Sequence, residues 1–244
     1  MLTKGELDRV TVVLVAARNP LNIGAAARAM SNFGFLRLCV VNRYEVAFRE
    51  ARSAVGAPEL LQNAEECASV AEAIGDCSLV VGTTAVGSRQ VEHPVHRLEA
   101  GAQLISEHAA GGGRTALLFG SEKRGLSNDD LSYCQWLMRI PTRAEHISMN
   151  LGQAVAVCLY ELIRSEGSSV VAGALAQATT VELERLEGAL LGALHASGYI
   201  KPGTEAATEE KARRLIRRMQ LDSADAEIWT GMLAKMQLKP RRKS

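Results

Sequence analysis

Ile140-Pro141-Thr142-Arg143-Ala144-Glu145-His146-Ile147-Ser148-Met149-Asn150-Leu151-Gly152-Gln153 carries the chain from the end of one apolar run into a long amphipathic stretch. The run Gln135–Ile140 reads as a strand and a polar loop follows it. The spacing of apolar residues then predicts a helix over Ser148–Arg164. Val155, Leu159 and Leu162 on that helix suit an internal core or a dimer face equally well. Ser148 is placed to cap the helix and Asn150 to bond its first turn, so both have a structural reading beside any functional one.

The same strand–loop–helix pattern repeats towards the N-terminus. Short runs rich in Val, Leu and Ile at Arg9–Ala16, Leu36–Val41, Ser78–Thr83 and Thr115–Phe119 predict strands, several apolar throughout, as strands covered on both faces are. Helices are expected over Asn22–Phe33, Tyr44–Arg52, Glu65–Ile74 and Arg97–His108. Such alternation implies an α/β domain with a mainly parallel sheet. Gly167–Ala174 is a run of small residues that reads as a linker, and helices are expected beyond it at Thr179–His195, Glu205–Gln220 and Ser223–Met236. Leu183, Leu186, Leu190 and Leu194 give the first of these one apolar stripe. The expected organisation is a domain over residues 1–166, a linker over 167–176 and a helical extension with a basic tail over 177–244.

Composition narrows the partners. The 244 residues are 47% hydrophobic and 23% charged, ordinary for a soluble globular protein. Aromatic residues, at 4%, are too scarce for a surface that stacks rows of bare bases. The five cysteines are scattered with no CxxC pair, which predicts a reduced protein without a disulfide framework or a structural metal. A polar N-terminus and the lack of an apolar run near roughly 20 residues point to a cytoplasmic protein with no membrane partner. Net charge is +1, yet residues 201–244 hold eleven Lys and Arg against six Asp and Glu. A basic segment on a mildly acidic body suggests an anionic partner met by the tail, with a solvated helix face as the plainer alternative.

Two further stretches share the character of the first. Asn19-Pro20-Leu21-Asn22-Ile23-Gly24-Ala25-Ala26-Ala27-Arg28 opens a helix after a buried strand, and its small residues leave one face bare enough for another backbone, a ligand or a partner helix. A dinucleotide loop would need GxGxxG there, and only Gly24 is present. Phe119-Gly120-Ser121-Glu122-Lys123-Arg124-Gly125-Leu126-Ser127 has the glycine spacing of a phosphate-binding loop, but Leu126 stands where that loop requires lysine. Nucleoside triphosphatase chemistry is thereby excluded. Two glycines around Glu-Lys-Arg still mark an unusual turn, at the carboxyl end of a parallel strand, where α/β proteins bind ligands.

Taken together, NxGxxxR, GxExxGL and IPxxxxxxSxNxxxA, in that order, resemble the three motifs of the SPOUT methyltransferases. Within that superfamily the likeness is to the TrmH-like 2′-O-ribose methyltransferases and most closely to their TrmJ branch, over residues 10–165 and more loosely the helical tail. The resemblance implies an α/β knot, in which the C-terminal part of the parallel sheet threads a loop as a trefoil, and S-adenosylmethionine as cofactor. It assigns the cofactor pocket to Thr83, Thr84, Gly120, Glu122, Ile140, Met149 and Asn150. It matches Arg28, Ser148 and Asn150 to the family's catalytic residues. A guanidinium holds its proton too tightly to serve readily as a base, so clamping an RNA phosphate and stabilising a developing alkoxide is the easier role for that arginine.

The resemblance further implies a homodimer acting on tRNA, with the anticodon-loop ribose at nucleotide 32 as target, and no DNA partner. RNA contact falls to Asn22, Arg28 and Arg89, and to Arg213, Arg214, Arg217 and Arg218 on the basic helix. Arg89 follows Gly82-Thr83 one residue later than the family's arginine, and Met149 replaces a common leucine. The rivals are the same chemistry on ribosomal RNA, an RNA-binding module that has lost catalysis, and a nicotinamide-dependent enzyme. The retained Arg28, Glu122, Ser148 and Asn150 disfavour the second, and the missing GxGxxG the third.

Overall fold

A computed structural model describes residues 2–41, 45–53, 59–85, 92–164 and 176–237. In chain order the elements begin with α1 (Lys4–Leu7), β1 (Val10–Val15), α2 (Pro20–Phe33), β2 (Arg37–Val41), α3 (Glu45–Ser53) and α4 (Glu59–Gln62). There follow β3 (Glu65–Cys67), α5 (Val70–Ala73), β4 (Leu79–Thr83), β5 (Val95–Arg97), α6 (Leu98–Ala110) and β6 (Thr115–Phe119). The chain continues through α7 (Asn128–Ser132), β7 (Trp136–Arg139) and α8 (Leu151–Arg164) to α9 (Thr180–Ser197), α10 (Glu205–Arg218) and α11 (Ser223–Gln237).

Among the described residues seven strands form one parallel sheet in the order β3-β2-β1-β6-β4-β7-β5. Alternate side chains of the central strands feed two apolar clusters: Val10, Val12, Leu14, Leu117 and Phe119 one, Val13, Val15, Ala116 and Leu118 the other. Burial on both faces is why β1 and β6 read as continuous apolar runs. The five expected strands are present to within a residue or two at each end.

The edge strands β3 and β5 escaped the sequence reading. Each has three residues, Glu-Glu-Cys and Val-His-Arg, with no apolar run to reveal it. The expected helix Glu65–Ile74 is therefore corrected to a strand followed by the single turn α5. Ser69 makes that break: its hydroxyl accepts the Glu72 N–H at 3.2 Å while the Glu72 carboxylate accepts the Ala68 N–H at 2.6 Å. The cysteine reading needs correction for the same reason. Cys39 pairs with Glu65 and Val41 with Cys67 in the register, so Cys39 and Cys67 share a sheet face and are joined as a disulfide, with Cα atoms 6.7 Å apart.

On one face of the sheet, α2 crosses α8 closely. A Cβ on Gly152 would lie 2.6 Å from the Ala25 Cβ, which is what the small residues of the first motif are for. At the other end of the sheet β7 lies between β4 and β5, with the Leu137 N–H donating to Pro94 O and the Thr84 N–H to Met138 O. Beyond the linker, α9, α10 and α11 pack around a third cluster of Leu183, Leu186, Ile216 and Ala226. This helical layer meets the sheet domain through polar groups. The N–H and hydroxyl of Thr180 both donate to Cys77 O at 2.9 Å, just before β4. Among the described residues no helix is long and apolar enough to cross a membrane.

Candidate active site

The carboxyl ends of β4, β6 and β7 open into a cavity of about 600 Å³. Thr83, Thr84 and Ala85 line it from β4, Phe119 to Leu126 from β6, and Met138 and Ile140 from β7. Thr142, Ile147, Ser148, Met149 and the first turns of α8 close the far side. The β6 loop turns back on itself. Gly125 donates its N–H to Ser121 O at 2.7 Å and has φ of 68°, a conformation that favours glycine. A Cβ on Gly120 would lie 2.0 Å from the carbonyl carbon of Gly125, so no side chain fits there. Leu126 then tucks beneath the loop, which explains its presence where a phosphate loop carries lysine.

Glu122 ties this loop to the first motif. Its carboxylate accepts the backbone N–H groups of Arg18 and Asn19, each at 3.3 Å, and the Asn22 side-chain amide at 2.8 Å. Asn22 in turn accepts from the Asn150 side chain at 2.8 Å, and Asn150 accepts the Gly152 N–H at 2.9 Å. All three motifs thus share one hydrogen-bonded chain. Partial burial pulls the Glu122 carboxyl upward, but the Asn22 and backbone N–H bonds outweigh it and hold the group below its ordinary value.

The α8 start differs from expectation. The helix begins at Leu151 and Asn150 supplies the side-chain cap, so Ser148 is not the cap but lines the cavity. Thr83, Thr84, Gly120, Glu122, Ile140 and Met149 line the cavity as well. The Thr83 hydroxyl donates to Leu118 O at 2.9 Å. Asn150 stands behind the wall. Arg28 is not in the lining; it lies on the exposed face of α2, nearly two helical turns after Leu21 on the same side. Arg89 lies outside the described residues.

Two of the four arginines of the basic helix expected to meet RNA are turned inward. Arg213 and Arg217 are buried rather than presented to an RNA. Arg213 meets Asp129, Glu187 and Glu209, and Arg217 donates to the Thr180 hydroxyl at 3.2 Å. Arg214 pairs with Glu92 and Glu210, while Arg218 donates to Glu92 O at 3.2 Å. Periodicity could not show this, because Asp129, Glu187, Glu184 and Glu92, which these arginines also meet, lie far away in sequence. Reading by motif also passed over Lys123 and Arg124, exposed cations on the cavity rim, and the apolar wall of Phe119, Leu126, Leu131 and Met138. Thr142, whose hydroxyl donates to Ile147 O at 3.2 Å and braces the third loop, was missed too.

Residues 9–160 match the SpoU rRNA Methylase family. The chain belongs to this family. It is 34% identical over 238 residues to the tRNA (cytidine/uridine-2′-O-)-methyltransferase TrmJ of Sodalis glossinidius, covering 95% of this chain and 92% of that one. To the tRNA (cytidine/uridine/adenosine-2′-O-)-methyltransferase TrmJ of Pseudomonas aeruginosa it is 33% identical over 248 residues, 95% of each chain. The crystal structure of TrmJ from Z. mobilis superposes with a TM-score of 0.80 at 32% identity, covering 93% of this chain and 98% of that one. As a SpoU family member resembling TrmJ along nearly its whole length, the chain is an RNA methyltransferase, and the resemblance read from its three motifs holds.

Proposed function

We propose that the protein transfers a methyl group from S-adenosylmethionine to a ribose 2′-hydroxyl of tRNA, at nucleotide 32 of the anticodon loop, as a cytoplasmic homodimer with a knotted cofactor site. The observation that carries this reading is that the second and third motifs line one cavity and the first is hydrogen-bonded to both through Asn22. Its volume of about 600 Å³ lies within the range of cofactor sites, roughly 300–1,000 Å³. Its donor set fits the group: apolar Phe119, Leu126, Met138 and Leu151 suit a neutral ring, and the backbone of the Gly120 loop and of Ile140 offers polar atoms at its edges. The position of β7 between β4 and β5 supports threading. The domain division supporting it is catalytic residues 1–166 and an extension over 177–244.

When bound, the sulfonium supplies an activated methyl with a good leaving group, so the protein's task is orientation. The reacting oxygen has to be held in line at roughly 3 Å. Ser148 lines the cavity, which supports a role for it in holding the ribose hydroxyl. Lys123 and Arg124 on the rim offer charge to neighbouring phosphates. Arg28 shares its exposed helix face with Leu21, 79% exposed, and Tyr160 of α8 is also exposed. On this reading a second subunit covers the Leu21–Arg28 face of α2, and Arg28 at that seam clamps phosphate and steadies the developing alkoxide.

The test is labelled S-adenosylmethionine with unmodified tRNA transcripts, mapping the methyl by resistance to alkaline cleavage. Methylation at one anticodon-loop ribose, abolished in Arg28→Ala with cofactor binding intact, is the expected result. Cofactor binding without transfer to any tRNA would refute the substrate and direct the same assay to ribosomal RNA.

A further inference from the structure

We propose that Arg213 of the C-terminal extension is a positioning residue for the cofactor cavity, acting through α7. This rests on the reading of the cavity as an S-adenosylmethionine site. The wall between β6 and β7 is formed by Leu126 and Leu131, both lining the cavity and both buried. Leu131 sits on α7, a helix of five residues. One so short has no stability of its own, so its place is set by what it touches. Its N-terminus is held by Ser127, whose hydroxyl accepts the Asp130 N–H at 3.1 Å. Its other side is held from the extension.

Arg213 grips that side at three points. One terminal nitrogen donates to Asp129 Oδ1 at 2.9 Å and to Ser132 Oγ at 3.1 Å, residues on either side of Leu131 in the helix. The guanidinium also lies over the Tyr133 ring, 4.3 Å from its centre. The remaining nitrogens are fixed to the extension itself, Nε to Glu187 at 3.3 Å and the second terminal nitrogen to Glu209 at 3.0 Å. A side chain only 9% exposed, with planar donors aimed in two directions, is a rigid tie between α9–α10 and the cavity wall. It has no face left for an RNA phosphate. The extension thereby contributes to cofactor binding.

Losing Arg213 outright would leave the buried Glu187 carboxylate uncompensated and endanger folding, so the test removes its partners one at a time in the full-length protein. Ser132→Ala removes one of the hydrogen bonds to α7, and Asp129→Asn takes the charge from the other, so each weakens the link to α7. Glu209→Gln loosens the same arginine only on the extension side. S-adenosylhomocysteine affinity by calorimetry, melting temperature, and tRNA affinity at several salt concentrations are measured for each. The expected result is cofactor Kd raised about three-fold in S132A and five-fold in D129N, unchanged in E209Q, with the salt dependence of tRNA binding unaltered throughout. Lowered melting temperatures with unchanged Kd in all three would reduce Arg213 to a structural brace and overturn the proposal. So would a salt slope smaller by about one in Arg213→Gln with native circular dichroism, which would make the residue a phosphate contact. A wild-type protein that does not bind S-adenosylhomocysteine refutes the cofactor reading itself. Binding by the wild type with unmoved variants refutes only the role of Arg213.

Discussion

Three donors converge on the Glu122 carboxylate, and the organisation of the first motif depends on its charge. The Arg18 and Asn19 N–H groups precede the first turn of α2, and Asn22 lies within it. A carboxylate can accept from all three at once. An amide cannot, because its nitrogen would face another donor. Glu122→Gln should therefore cost about 1–2 kcal/mol, the scale for a part-exposed charged hydrogen bond, seen as a lower midpoint in urea. The loss should extend to cofactor affinity, since Asn22 and Asn150 are linked through the same bonds. The sign of the pH dependence follows from the lowered pKa of the group. A carboxyl held below its ordinary value stabilises fully above about pH 4.3, and the contribution fades as pH falls through the folded value. Wild type and variant should differ at pH 7 and converge in acid. A constant difference across that range would show that Glu122 acts through shape and not through charge.

Glycine in a helix interior is usually a defect, and two helices here give opposite answers. Replacing a helical glycine with alanine gains roughly 1 kcal/mol of helix propensity where the Cβ meets nothing. At Gly188 of α9 no atom lies within 4 Å of the added carbon, so Gly188→Ala should stabilise by about that amount. At Gly152 of α8 the carbon would meet the Ala25 Cβ at 2.6 Å and the backbone of Ala25 and Ala26 at 3.3 Å. Backbone cannot step aside as a long side chain can. Gly152→Ala should lose the propensity gain and destabilise by about 1–3 kcal/mol as α2 and α8 are forced apart. Two chemical denaturation curves decide it, and a stabilised Gly152→Ala would mean the crossing is loose. The close approach was legible in the sequence as a face of Gly24, Ala25, Ala26 and Ala27, though not the residue it receives. Elements with an apolar period were legible likewise: β1, β6 and α9 each announced themselves. The three-residue edges β3 and β5 did not, since an edge strand needs no apolar run. With β3 unseen, the Cys39–Cys67 pairing had no geometry to rest on. In the site, the motifs gave most of the cavity lining, whereas the inward turn of Arg213 and Arg217 depended on acids distant in the chain.

At the scale of the whole molecule, two apolar clusters cover the sheet and a third lies within the extension, while the seam between them is ionic. Thr180 on Cys77, Arg213 on α7, and Arg214 and Arg218 on Glu92 make most of its polar joins. A polar seam has a definite consequence for truncation. A chain ending at Arg164 keeps the cores that fold the sheet, and the groups it uncovers, Asp129, Ser132 and the Cys77 carbonyl, can be hydrated by water. It should therefore fold, and unfold cooperatively, but at a lower temperature than the full chain. An extension that was only an appended RNA-binding tail would leave the melting temperature and cofactor affinity of the remaining domain unchanged. An extension that braces the cavity wall predicts the reverse: S-adenosylhomocysteine affinity weakened by at least as much as in Ser132→Ala, in a domain whose circular dichroism stays native. Calorimetry on the truncated chain beside the full one distinguishes the two, because charge lost from a tail cannot alter a site it does not touch.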